Sequence, residues 1–124
     1  MSAMSDYLEN SLIDQLFRGQ SAPTTSTLYV SLFSAAPNDT GGGTELTGSA
    51  YARVAVTSAL TAWAGTQSAG STTSSSGTGG ATSNNTVITF PEPTSSWGQV
   101  VAFGVHDAAS GGNLLFHGSL SINK

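Results

Sequence analysis

The segment TLYVSLF, residues 27–33, sends Leu28, Val30 and Leu32 to one side of an extended chain and Tyr29, Ser31 and Phe33 to the other. A period of two in β-branched and aromatic residues is incompatible with an amphipathic helix, so it commits the middle of the chain to a sheet. The same alternation recurs in YARVAVTSAL (51–60), through Ala52, Val54 and Val56, and in QVVAFGVHD (99–107), through Val101, Phe103 and Val105. TVITF (86–90) reads as a further strand, and NLLFHGSLSI (113–122) alternates through Leu114, Phe116 and Leu120. The connection DAASGGN is short, and Ser110-Gly111-Gly112-Asn113 permits positive φ, which makes the last two segments the best hairpin.

Upstream the period is helical. Ser5 can cap a helix whose first turn carries Asp6 and Glu9, and Leu8, Leu12, Ile13, Leu16 and Phe17 return on one side. Arg18 lies near the negative end and Gly19 supplies a stop, which predicts a helix over residues 5–18. So short a helix is not stable alone and must dock, either on this chain's own sheet or on a neighbouring subunit.

One helix and about five strands without βα alternation predict a mainly β fold: a small antiparallel β-sandwich or barrel with one N-terminal amphipathic α-helix. The 124 residues read as a single domain, with residues 1–19 as a helical arm and 27–122 as a β-rich body. A long polar loop over 65–85 interrupts that body. The polar tract SAGSTTSSSGTGGATSNNT over 68–86 reads as an inter-strand excursion and not as a linker, because neither half of so small a chain can bury a core alone.

The chain carries only Arg18, Arg53 and Lys124 against seven acidic residues, a formal net charge of −4. Without a basic patch, phosphate neutralisation cannot drive binding, so neither nucleic acid nor an anionic membrane surface is an expected partner. Cysteine is absent, which removes disulfides and thiolate metal sites. MSAMSDYLENSL lacks the basic and apolar regions of a secretory signal, so synthesis in the cytoplasm is expected.

Chemistry-bearing constellations are scarce. His106 and His117 both fall on the final hairpin, with His106 expected opposite about Leu114 and His117 opposite about Phe103, so they are not cross-strand partners. Asp107 points to the opposite face from His106, and a zinc site needs three or four convergent ligands. No Gly-x-Ser-x-Gly elbow occurs, and Gly41-Gly42-Gly43 and Gly79-Gly80 lack the residues that make a phosphate loop. Asp39, Glu45 and Glu92 are the acids available for paired-carboxylate chemistry, and each falls in an expected loop, where solvated acids are usual. The expectation is therefore no catalytic residue, no cofactor and no metal. The large apolar side chains open to other roles are Leu8, Leu12, Leu16 and Phe17 on the helix, with Trp63 and Trp97, which are candidates for either end-cap packing or an interface.

Three stretches, SDYLENSLIDQLFRG, TLYVSLFSAAPNDTGGGTELTGSAYARVAV and VITFPEPTSSWGQVVAFGVHDAASGGNLLFHGSL, resemble the tail-fibre-like phage virion proteins, small structural proteins of tailed phages. The most specific pieces are YVSLF followed by AP, GGGTE followed by YAR, and ITFP followed by WG, FG, DA and SGGNLL. Residues 58–85 depart from the pattern, being longer and richer in Ser, Thr and Gly. The resemblance implies a non-enzymatic virion structural protein, made in the host cytoplasm and built into the particle. The expected role is a capsid decoration or cement protein contacting the major capsid protein or other virion proteins. The alternative is a tail, adaptor or fibre component contacting other tail proteins or the host surface. With roughly fifteen Leu, Ile, Val and Phe side chains to bury, the core is thin against the cost of ordering the whole chain, which adds the expectation of a homo-oligomer, with a trimer favoured.

Overall fold

The computed structural model describes residues 2–21 and 24–124. Its elements in chain order are β1 (Ser2–Met4), α1 (Asp6–Arg18), β2 (Thr27–Ala35), β3 (Thr44–Glu45), β4 (Val54–Thr57), β5 (Ala102–His106) and β6 (Leu114–Ser119). All six strands join one antiparallel sheet in the order β1-β6-β5-β2-β3, with β4 beside β2. The mainly β architecture with one amino-terminal helix is the one the sequence predicts.

Helix α1 begins and ends where its capping residues require. Ser5 is extended and its hydroxyl accepts the Leu8 N–H, while Gly19 adopts the left-handed conformation at φ 69° and donates its N–H to the Asp14 carbonyl. The arm is more than a helix, however. Residues 2–4 pair with β6 at the sheet edge, Ala3 opposite His117 and Met4 opposite Phe116. Ser5 follows at 2% exposure, donating its N–H to the Leu115 carbonyl at 2.8 Å and its hydroxyl to the Leu114 carbonyl. The cap residue thus fixes the helix to the sheet, although no residue of α1 itself is buried.

Strand β2 is central. It pairs with β5 over Tyr29–Phe33, with β4 over Thr27–Val30 and with β3 at Phe33 and Ala35. On one sheet face lie Ser31, Phe33, Ala102, Gly104 and His106, all buried. Gly104 is required there: a Cβ would meet Ser31 Oγ at 2.8 Å and the side chains of Leu114 and Phe33 at 2.9 Å. The opposite face carries Val30, Val105 and Phe116 in register.

Several boundaries differ from the sequence reading. A bulge between Val105 and His106 keeps His106 opposite Leu114, but moves the partner of His117 from Phe103 to Gly104. The 51–60 strand contracts to Val54–Thr57, since Tyr51 and Arg53 turn into the network described below. TVITF joins no strand: residues 87–90 follow a turn closed by Asn84, whose side-chain amide donates to the Thr86 carbonyl.

The polar tract is a closed excursion. A bridge between Trp63 and Asn84 seals its base, with Ala64 N–H donating to Ser83 and Asn85 N–H to Ala62, both at 2.8 Å. Inside, the Gln67 side chain donates to Thr73 and Ser74 and accepts from Ser76 N–H, and Ser71 Oγ accepts from Gly65 N–H. Short polar side chains that bond backbone groups here take over the role that ladder pairing plays in a strand.

Candidate functional site

In a chain with three basic residues, the most informative is the one withdrawn from water. The Arg53 side chain is 8% exposed, and all three of its nitrogens donate. Nε and Nη2 donate to the two carboxylate oxygens of Glu45 at 2.8 and 2.7 Å. Nη1 donates to the carbonyls of Ala108 and Gly111 at 2.8 and 2.9 Å. The bidentate geometry fits a planar guanidinium and no other cation. Glu45 also accepts the Tyr51 hydroxyl at 2.7 Å, and that same oxygen receives the Leu32 backbone N–H at 3.1 Å. One cluster therefore ties β2, β3, the start of β4 and the β5–β6 turn together.

Electrostatics follow the geometry. Burial opposes ionisation of Glu45, but hydrogen bonds from Arg53 and Tyr51 and the charge of Arg53 outweigh it and hold the carboxyl below its usual range. The hydrogen bond to Glu45 raises Arg53, and burial together with the carboxylate pushes the Tyr51 phenol well above its ordinary value. His106 lies beside the cluster, stacked on Phe33 with ring centroids 6.3 Å apart. Burial, and then the charge of Arg53, push its imidazole below the usual histidine range, and neither ring nitrogen has a hydrogen-bond partner among the described residues. Burial also opposes ionisation of Asp107, but the Asn113 backbone N–H at 2.7 Å and side-chain amide at 2.9 Å keep its carboxyl low.

Above this cluster opens a cleft of about 480 Å³, bounded by Asp6 and Tyr7, by Asp39–Gly43 and by Gly111–Leu114. Its loops are built by local constraints. Asn38 and Gly41 exchange backbone hydrogen bonds, and Gly43, at φ 72°, lies so close to the Ala35 carbonyl and Pro37 that no Cβ fits. Asp39 bonds His117 at 2.8 Å, and its carbonyl receives the Asp6 N–H, so the cleft's far wall is tied to the amino-terminal arm.

The residues singled out from sequence are dispersed. Leu8 and Leu12 are half-buried, whereas Leu16 and Phe17 are 73% and 81% exposed at the end of α1. Trp97 donates its indole N–H to the Ser49 carbonyl at 2.9 Å and meets Tyr51 edge-to-face at 5.6 Å. Trp63 donates to the Thr57 carbonyl at 3.1 Å, some distance along the chain from that packing. Of the three acids, Glu92 and Asp39 are exposed as expected, but Glu45 is not a solvated loop acid: strand β3 and Arg53 hold it. Arg53 was missed as an organising residue. Its signal is a cation inside an alternating segment, where an unpaired charge would be costly. Among the described residues no group of three or more His, Asp or Glu side chains is placed to hold a metal, and no helix is long and apolar enough to cross a membrane.

The cluster joins the segments in which the tail-fibre-like resemblance is most specific. GGGTE supplies Gly43 and Glu45, YAR supplies Tyr51 and Arg53, and DAASGGN supplies Asp107, Gly111 and Asn113. Comparison with curated proteins gives no match. A family model described as podophage GP4 fibre I protein gp80 matches residues 3–124, so the arm, the network and the polar excursion all fall inside it. The chain belongs to that family of phage fibre structural proteins, and it is a protein of the virion.

Proposed function

We propose that the chain is a non-enzymatic structural component of the phage tail or its fibres, assembled through contacts with other virion proteins. The observation that carries this reading is the family match over nearly the whole chain, to a protein described as a fibre component. It supports the tail and fibre alternative over the capsid decoration or cement role. The structure agrees with a scaffold. Arg53, Glu45, Tyr51 and Asp107 spend their polar atoms on one another and on backbone groups, which builds a rigid body.

The arm supplies the attachment surface. Leu16 and Phe17 stand in solvent at the end of a helix whose beginning is fixed to the sheet, so they present an apolar anchor on a rigid stem to another tail protein. Particles produced with Leu16→Glu and Phe17→Glu should lack the protein while the purified variant keeps its melting temperature. Normal incorporation would remove the arm from assembly. Copy number separates the two virion roles: a number matching tail symmetry supports the fibre reading, and one scaling with the head lattice supports decoration.

A further inference from the structure

The sheet edge opposite the arm carries an unused strand. Strand β4 pairs with β2 on one side only. Across a groove from it lies Thr86–Phe90, TVITF, a segment of high β propensity with no Pro, Gly or charge. Among the described residues no backbone hydrogen bond reaches Val87, Ile88, Thr89 or Phe90. Their burial nevertheless alternates: Ile88 and Phe90 are half-buried, with Phe90 stacked on Tyr51 at 6.3 Å, while Val87 is 87% exposed and Thr89 is exposed. The groove between the two, about 530 Å³, is lined by Val54–Thr57, Thr61, Ala62 and Thr86–Ile88.

We propose that this edge is the self-association surface of the protein, with residues 86–90 of one copy adding as a β-strand to the corresponding edge of a second copy. This rests on the structural role proposed above, and it specifies the partner. Charge identifies the occupant. A chain of net charge −4 repels its own copies wherever acids face each other. From Val54 to Pro91 the sequence contains no Asp, Glu, Lys, Arg or His, and both walls of the groove fall within that run. Two copies can meet there without bringing like charges together, and the neutral edge offers no charge to select a different, oppositely charged partner. Strand addition would also satisfy the backbone groups of 87–90, which main-chain pairing does in β-augmented complexes. The exposed Val87 would become a contact residue, and the neighbouring polar excursion would border the interface.

The test is sedimentation equilibrium of the full chain and of two variants, Val87→Lys and Leu16→Glu/Phe17→Glu, combined with amide hydrogen exchange at 86–90 as a function of protein concentration. The wild type should associate, and amides of 87–89 should gain protection as it does. Val87→Lys should weaken association by about 30-fold or more with an unchanged circular dichroism spectrum, whereas the helix variant should associate normally. A wild type that stays monomeric at high concentration, with 87–89 exchanging freely, would overturn the proposal, as would association lost through Leu16 and Phe17 instead. Should Val87→Lys fail to fold, the concentration dependence of exchange in the wild type decides alone. Virion incorporation is a separate readout, so a failed interface leaves the proposed role standing, and a failed role leaves the interface measurable.

Discussion

Replacing Arg53 with Met removes a guanidinium that is 8% exposed and makes four hydrogen bonds, two to a carboxylate and two to backbone carbonyls. Breaking a fully buried ion pair by deleting one partner costs about 3–5 kcal/mol, because the remaining charge is stranded. Glu45 is 24% exposed and retains the Tyr51 hydroxyl, so water recovers part of that loss. The carbonyl of exposed Gly111 can turn to solvent, while that of half-buried Ala108 has less freedom to do so. The expected cost is about 3 kcal/mol, which for a domain of this size lowers the melting temperature by roughly 12 °C. Arg53→Lys should recover little, because a point charge cannot serve both carboxylate oxygens and both carbonyls. The Arg53→Met/Glu45→Met double variant should be more stable than the sum of the two single losses by about 1–3 kcal/mol, since it removes the stranded carboxylate. The assay is thermal and urea denaturation of the four members of the cycle. If Arg53→Met melts within about 2 °C of wild type, or if the double variant shows no coupling, the network is not what unites these elements.

Gly104→Ala places a methyl group against Ser31, Phe33 and Leu114 and should destabilise by about 1–3 kcal/mol in the same assay; a neutral result would mean that the strands separate there easily. Ser5→Ala removes both the cap and the tie to Leu114, and should cost about 1–2 kcal/mol and accelerate amide exchange through the first turn of α1, which can be followed residue by residue. Acid should destabilise the protein in two stages. His106 has a folded value below 6.5, so the unfolded chain binds the extra proton first and stability falls as pH drops below that value; the lowered carboxyls of Glu45 and Asp107 add a second loss below about 4.5. His106→Phe should abolish the first stage and spare the second, and denaturation curves between pH 7.5 and 4 that stay superimposed in the wild type would contradict the assignment.

The parts legible in the sequence are those decided locally. The helix was readable because Ser5 and Gly19 cap a single apolar stripe, and β2, β5 and β6 because each carries its own alternation. Strands β1 and β3 were not, since three and two residues carry no period and their pairing is set by β6 and β2. The bulge at His106 shifted the hairpin register without a glycine to announce it. TVITF shows the reverse failure: its local preference is for a strand, yet a groove separates it from the free edge of β4 and no ladder hydrogen bond forms between them. At the site, Glu45 was visible as an acid but not as a partner, because the chain between Glu45 and Arg53 contains no pattern that brings them together. Left-handed Gly48, Ser49 and Ala50, all at positive φ, make that reversal. Glycine predicted only the first of these, and the two non-glycine residues hid the turn.

Location in the particle tests the central claim most directly. A peptide epitope fused after Lys124, whose side chain is exposed, can be labelled with gold on purified particles and imaged. The fibre assignment predicts label confined to the tail and its appendages, at a density that follows tail symmetry. Label distributed over the head surface, with the tail bare, would contradict it.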